Sequence, residues 1–272
     1  MQLSLDHISV TDTTPSRLAD IAAATGCTGI CPFLHSMAVL PAMPDYDLVT
    51  DAAERRATKA ALAAGGLTVD LVYPFTMASR TVVADFEPAL EVAAELGAPF
   101  ANVLCYDRDP ARRGEKLAEL ADLAARYQIA LAIEFYPPSQ IRTLGDALAA
   151  IEALGREDAG VTLDLLHIMR GGEAASTMLH LADPRIRFAQ LSDGPLEMAP
   201  GRIEWEAGLQ RQLPGEGSFD IPAFLSALRP GLPVSVEAPQ EAAMAAGVSP
   251  LERACRAVAA TRAVMTKENG RV

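Results

Sequence analysis

Basic residues are scarce in this chain: 23 Lys and Arg stand against 35 Asp and Glu, for a formal net charge of −12. Without a basic stripe there is no electrostatic footprint for nucleic acid. Cysteine is sparse as well. Cys27, Cys31, Cys105 and Cys255 form no zinc-type pairing, and Cys27 and Cys31 flank the apolar stretch Thr28-Gly29-Ile30, where small buried side chains are expected. Reduced thiols of this kind fit a cytoplasmic protein. No uninterrupted apolar run is long enough to cross a bilayer, so no membrane association is expected. Met1 to His7 has no basic segment leading into an apolar core, so no signal peptide is expected either. A Gly-rich phosphate loop after the first strand is also missing, as are linkers, repeats and low-complexity tracts.

What is present is a long, half-hydrophobic chain of 272 residues that alternates strand and helix signals. Strands are expected at Leu3 to Val10, Thr28 to Pro32, Leu67 to Tyr73 (stopped by Pro74) and Phe100 to Cys105. Helices are expected from Pro15 to Thr25, Leu48 to Ala64, Thr81 to Leu96 and onward from Asp109-Pro110. In that last helix Leu117, Leu120, Ala121 and Ala124 recur at helical spacing. Further helices are read from Thr143 to Leu154, Ala174 to Leu181, Asp220 to Leu228 and Ser249 to Met265, with 267–272 as a frayed tail. Eight strands alternating with helices at this length predict a single α/β domain over 1–272, a closed (β/α)8 TIM barrel. An open doubly wound sheet is the rival.

The later strands carry the functional signal. In Ile129-Ala130-Leu131-Ala132-Ile133-Glu134 one residue parity is bulky, and the other is small until it ends in an acid. Side chains alternate across a strand, so Glu134 shares a face with the alanines. The pattern returns at Val161-Thr162-Leu163-Asp164, Phe188-Ala189-Gln190 and Val234-Ser235-Val236-Glu237. In a barrel these strand ends converge on the C-terminal face, which carries the chemistry, above a floor of Ala132, Thr162, Phe188 and Ser235. Four inward oxygen donors, three of them acids, call for a cation among them. Oxygen donors favour a hard divalent ion, so manganese or magnesium is expected before cobalt or zinc. Ordinary exposed loop acids are the plainer explanation for any one of them, but not for four in phase.

In this order, Ile133-Glu134-Phe135, Leu163-Asp164-Leu165-Leu166-His167, Phe188-Ala189-Gln190-Leu191-Ser192-Asp193 and Val236-Glu237-Ala238-Pro239, with Arg211-Gln212-Leu213-Pro214-Gly215-Glu216-Gly217-Ser218-Phe219-Asp220, resemble the xylose isomerase-like TIM barrels. That superfamily includes sugar-phosphate isomerases and epimerases and is related to AP endonuclease family 2. The resemblance covers essentially the whole chain. It implies Glu134, Asp164, Gln190 and Glu237 as metal ligands, and His167 and Arg211 as contacts to substrate oxygens. It also reaches endonuclease IV, whose zinc cluster needs further histidines. Here the third strand ends in Tyr73-Pro74 and the fourth in Cys105-Tyr106, so DNA repair is not expected.

The expected chemistry is proton abstraction beside a carbonyl of a small polyol or sugar, through an enediolate, with Glu134 and Glu237 as base and acid and His167 assisting. A dehydratase of the 3-dehydroshikimate or inosose type shares the first step, and Gln190 with the long segment before Arg211 resembles the former. A catalytically silent sugar-binding barrel is the third reading. Residues 194–217 hold the only tryptophan, Trp205, and are expected either to form a lid that touches substrate or to be a solvated insertion with Trp205 packed against the barrel rim. His7 is expected either to line the mouth or to sit satisfied in the core; Met37, Met43 and Met198 are expected either to line an apolar pocket wall or to be loop packing. A homo-oligomer is compatible with the sequence.

Overall fold

The computed structural model describes residues 2–172 and 180–269. Its strands are β1 (Leu3–Asp6), β2 (Gly29–Cys31), β3 (Thr68–Val69), β4 (Val72–Met77), β5 (Phe100–Cys105), β6 (Ala130–Glu134), β7 (Ala159–Asp164), β8 (Ile186–Leu191) and β9 (Val234–Val236). All pairings between them are parallel. They run in the order β3-β2-β1-β9-β8-β7-β6-β5-β4. β3 and β4 are two pieces of one barrel position, and a parallel bridge between Phe33 and Tyr73 links β4 back toward β2. The result is a nearly closed α/β barrel wrapped by helices.

Those helices are α1 (Pro15–Ala24), α2 (Ala52–Gly65), α3 (Glu87–Glu95), α4 (Pro110–Ala125), α5 (Leu144–Leu154), α6 (Leu165–Arg170), α7 (Ile203–Gly208), α8 (Ile221–Ala227), α9 (Glu241–Ala245) and α10 (Pro250–Asn269). Their starts follow from local chemistry. Asp109 accepts from the Ala111 and Arg112 N–H groups at 3.0 and 3.2 Å, and Pro110 sits where its missing N–H costs nothing. Thr143 and Asp146 form a reciprocal capping box at the start of α5. No helix among the described residues is long and apolar enough to cross a membrane.

Several boundaries differ from the sequence reading. β1 stops at Asp6 rather than Val10, because the Asp6 carboxylate accepts from the Ile8 N–H at 3.2 Å and turns the chain into a 3-10 turn, His7–Val10. The third strand runs through Pro74 to Met77. Its register shifts between Val72 and Phe75, so the ladder does not call on the N–H that proline lacks. α2 begins at Ala52 because Asp51 caps it, accepting from Ala53 and Glu54. The expected helix over Thr81 to Leu96 divides into a 3-10 turn, Val83–Phe86, and α3. Most of the helix expected at Ala174 to Leu181 lies outside the described residues. α10 continues past Lys267 to Asn269.

Two apolar regions follow from strand parity. The bulky faces pack outward against the helices in one large core. The opposite faces fill the barrel with a small cluster of Cys31, Leu71, Tyr73, Ala132 and Phe188. Ala132 and Phe188 share parity with Glu134 and Gln190, so the same alternation that packs the floor aims those polar side chains over it.

Candidate active site

Glu134 closes β6 and is buried. Asn102 on neighbouring β5 donates its amide N–H to Glu134 Oε2, and Asn102 Oδ1 accepts from the Thr162 hydroxyl on β7 at 2.6 Å. A carboxylate only accepts and Thr162 donates, so the Asn102 amide has one satisfying orientation.

Asp164 closes β7 and also caps α6, with Oδ1 accepting from the Leu166 N–H at 2.8 Å. His167 therefore lies one helical turn on, over its own cap. Its Nε2 is 3.1 Å from both Asp164 Oδ2 and Glu134 Oε1. The spacing D-x-x-H thus has a mechanical origin: cap and imidazole meet because α6 starts where β7 ends. Tyr136 packs on the ring at 4.7 Å between centroids.

Arg211 enters this group from the segment after α7. Its Nη1 lies 2.9 Å from Asp164 Oδ2 and 3.1 Å from Glu237 Oε2, while Nε donates to the Ala207 carbonyl at 3.0 Å. Asp193 holds the base of that segment, accepting from the N–H groups of Gly194, Gly215 and Phe219 at 2.8, 2.9 and 3.0 Å. A Cβ at Gly217 would collide with the Asp193 carboxylate, so the P-G-x-G run is required where it stands. A bidentate pair from Arg170 to Glu206, at 2.6 and 2.7 Å, fastens α7 to α6.

Electrostatically the site is overloaded with acid. Burial raises Asp164, but Arg211 and His167 outweigh it and hold the group below the usual carboxylate range. Glu237 goes the other way: burial and the neighbouring Asp164, Asp6 and Glu134 push it well up, against the pull of Arg211. Arg211 itself loses to burial and gains more from Asp164, Glu237 and Glu134, so its pKa is raised.

Gln190, fully buried on β8, donates its Nε2 to Tyr73 Oη at 2.7 Å, and Tyr73 donates to Asp6 Oδ2 at 2.7 Å. Burial lifts Asp6 to about 7 despite that hydrogen bond. Asp6, Tyr73 and Asn102 are candidate site residues that the sequence reading missed. A signal existed for Asp6, since Leu3-Ser4-Leu5-Asp6 repeats the alternation ending in Glu237, but it was hidden inside an overlong strand. Asn102 sits mid-strand and nothing in the sequence marks it.

A pocket of about 620 Å³ opens above these groups. Asn102, Glu134, His167, Arg211, Glu237 and Tyr73 form its polar side; Phe33, Met37, Leu40, Phe75 and Leu104 are among its apolar walls. Among the described residues, Arg211 is the one Lys or Arg that lines it. Trp205 lines it too, its indole N–H donating to Glu241 Oε2 at 2.9 Å and one face covered by Arg202 at 3.8 Å. Met43 is buried and Met198 half-buried, and neither lines the pocket. His7 is a satisfied core residue, with Nε2 2.9 Å from the Thr13 carbonyl and Nδ1 accepting from the Phe33 N–H.

The donor set fits a divalent cation. Glu134, Asp164 and His167 each offer a buried atom within 4.8 Å of the others. Asp6, Glu134, Asp164 and Glu237 are buried around a single guanidinium, and Gln190 Oε1 is a buried acceptor with no partner. Gln190 and Glu237 lie outside the tight three-residue group but at adjoining strand ends.

The family model for xylose isomerase-like TIM barrels matches residues 19–259. An inosose isomerase of Bacillus velezensis is 28% identical over 160 residues, covering 55% of this chain and 56% of its own. This chain thus spans little more than half the length of that relative in the match. A 3-dehydroshikimate dehydratase of Pseudomonas aeruginosa is 26% identical over 83% of this chain and 36% of its own. The crystal structure of an IOLI protein with a bound zinc atom superposes with a TM-score of 0.79, at 19% identity, covering 98% of this chain and 99% of that one.

Proposed function

The chain belongs to the xylose isomerase-like TIM barrel family, and from that premise we propose that it is a divalent-metal-dependent isomerase or epimerase of a small, uncharged, polyhydroxylated carbonyl compound. The observation that carries this reading is that Glu134 and Glu237 face one chamber, each steered by its own donors: Asn102 and His167 for the first, Arg211 for the second. Two buried carboxylates around one substrate can take a proton from carbon and return another.

Glu134, Asp164, Gln190 and Glu237 would hold the ion, with manganese or magnesium ahead of cobalt or zinc for so oxygen-rich a set. The zinc in the IOLI protein supports a divalent ion on this fold. When bound, the ion supplies Lewis acidity at the substrate carbonyl. One glutamate removes the proton beside that carbonyl, leaving the substrate as an enediolate. The other delivers a proton to the opposite face, giving the epimer, or to the neighbouring carbon while the hydroxyl proton passes to the adjacent oxygen, giving the isomer. His167 donates to a substrate oxygen. Arg211 spends Nη1 and Nε on protein acceptors, which leaves Nη2 to orient a substrate hydroxyl. Trp205 and the segment 194–217 close the chamber from above and limit water.

A dehydratase is the second reading, supported by the match to the Pseudomonas aeruginosa protein along 83% of this chain. It would use one glutamate as base and expel a β-hydroxyl. A dehydroshikimate carries a carboxylate, however, and Arg211, the one Lys or Arg among the described residues that line the pocket, is already committed to Asp164 and Glu237. The same point disfavours a phosphorylated sugar. A silent barrel would not need every strand-end donor intact.

Product analysis by mass separates these outcomes. Manganese-loaded protein is incubated with neutral ketoses, inososes and 3-dehydroshikimate. A neutral polyol converted without change of mass is expected, with activity lost to chelation and restored by metal. Loss of water from dehydroshikimate as the preferred reaction overturns the isomerase reading, and full activity in metal-free protein overturns the metal.

A further inference from the structure

Gln190 differs from the acids beside it in having two unlike ends, and only one of them can ligate a cation. What decides which end faces the site is a chain of buried groups that starts on β1 and passes through a side chain from β4. Asp6 closes β1, Tyr73 lies on β4 and Gln190 on β8. Asp6 and Gln190 are fully buried, and Tyr73 is nearly so. Gln190 Nε2 donates to Tyr73 Oη at 2.7 Å, and Tyr73 Oη donates to Asp6 Oδ2 at 2.7 Å. Asp6 Oδ1 is taken by the Ile8 N–H.

With Asp6 ionised, the direction of this chain is set. Tyr73 has one hydroxyl proton, and the Asp6 carboxylate competes for it with a charge-assisted bond that a neutral amide oxygen cannot match. The tyrosine oxygen is then left as an acceptor, so Gln190 must offer it N–H. Its oxygen is turned away, and Oε1 is indeed buried with no hydrogen-bond partner, next in register to Asp164. Resting on the metal reading above, we propose that Asp6 and Tyr73 are positioning residues that lock the Gln190 amide with Oε1 presented to the divalent cation. Neither touches the ion or substrate in this role. They ensure that the amide meets the cation as an oxygen ligand and not as an NH₂ group, which would repel it.

The test is manganese affinity of the full chain, read by electron paramagnetic resonance of free Mn²⁺, with folding checked by circular dichroism. Tyr73→Phe keeps the ring that stacks on Phe33 at 4.9 Å but removes the hydroxyl. It should weaken Mn²⁺ binding by about 10–100-fold, the usual cost of losing such an outer partner. Asp6→Asn should do the same independently. The amide it introduces keeps its oxygen on the Ile8 N–H and turns its NH₂ to Tyr73, reversing the chain and aiming the wrong end of Gln190 at the metal. The decisive comparison is made in Gln190→Glu, whose two ends are both oxygens. There Tyr73→Phe should lose most of its effect. Equal losses in both backgrounds would mean a packing role, and unchanged Mn²⁺ affinity in folded Tyr73→Phe and Asp6→Asn would also overturn the proposal while leaving the metal site standing. Wild-type protein that binds no divalent ion would instead remove the metal reading itself, and this proposal with it.

Discussion

Arg211 Nη1 lies 2.9 Å from Asp164 Oδ2, an ion pair sealed from solvent across 47 residues of sequence. The same nitrogen reaches Glu237, so one guanidinium tethers two strand ends to the segment that follows α7. Removing it strands buried carboxylates. Arg211→Met keeps the aliphatic bulk and deletes the charge. It should cost roughly 3–5 kcal/mol of stability in metal-free protein, the range for breaking one side of a buried pair. Added manganese should recover part of the loss by restoring positive charge. Thermal unfolding with and without metal reads both, and an unchanged melting temperature in chelator would show that the pair contributes little.

The two glutamates allow ligand and catalyst to be separated. Glu134→Gln and Glu237→Gln each keep an oxygen donor but remove a proton acceptor. Metal should still bind measurably, while turnover falls by about 10²–10⁴-fold, as for loss of a general acid or base. For an epimerase both variants stop net conversion, and one of them still exchanges the substrate's α-proton with deuterated solvent through the surviving carboxylate. Near-normal activity in both metal-loaded variants would mean that neither is the base.

Much of this site was legible in the sequence because strand parity is local. Ala132 and Glu134, or Phe188 and Gln190, declare a shared face within three residues, and a barrel then makes the ends converge. D-x-x-H was legible for the same reason, since one helical turn joins Asp164 to His167. What was hidden depends on distance along the chain. The partners of Gln190 lie at Tyr73 and Asp6, and Arg211 chooses its carboxylates only after the barrel is built. Pro74 misled because a proline ends most inner strands, and here a register shift absorbs it.

Trp205 offers a direct probe, being the only tryptophan in the chain. It is half-buried at the pocket rim, and α7, which carries it, is tied down by Arg170 and Glu206. Saturating substrate should therefore alter its emission by contact and drying rather than by a large swing of the segment. Trp205→Phe should raise KM more than it lowers kcat. An unchanged emission spectrum at saturation would remove Trp205 from the substrate contacts.

His7 gives the clearest pH signature, and its sign can be worked out. Burial, partly offset by the Thr13 carbonyl, lowers its pKa from 6.5 to about 4. The geometry agrees with a neutral ring, since Nδ1 must stay unprotonated to accept from the Phe33 N–H while Nε2 donates to Thr13. A folded-state pKa below the unfolded value means that this stabilisation is complete above about pH 6.5 and is lost as pH falls through about 4, by an amount of order 3 kcal/mol. Asp6 runs the other way, because its folded pKa of about 7 favours the folded state below its unfolded value and withdraws that support as pH rises through 7. Global stability in this window therefore mixes two opposed slopes. The His7 share is isolated by subtracting the pH profile of His7→Gln, which cannot titrate, from that of wild type. The difference should narrow steadily from pH 6.5 to pH 4, and the His7 ring resonances should hold their neutral shifts down to about pH 5. Resonances that titrate near 6.5 would show that the His7 site opens to water in solution, and the acid-side loss would vanish with it.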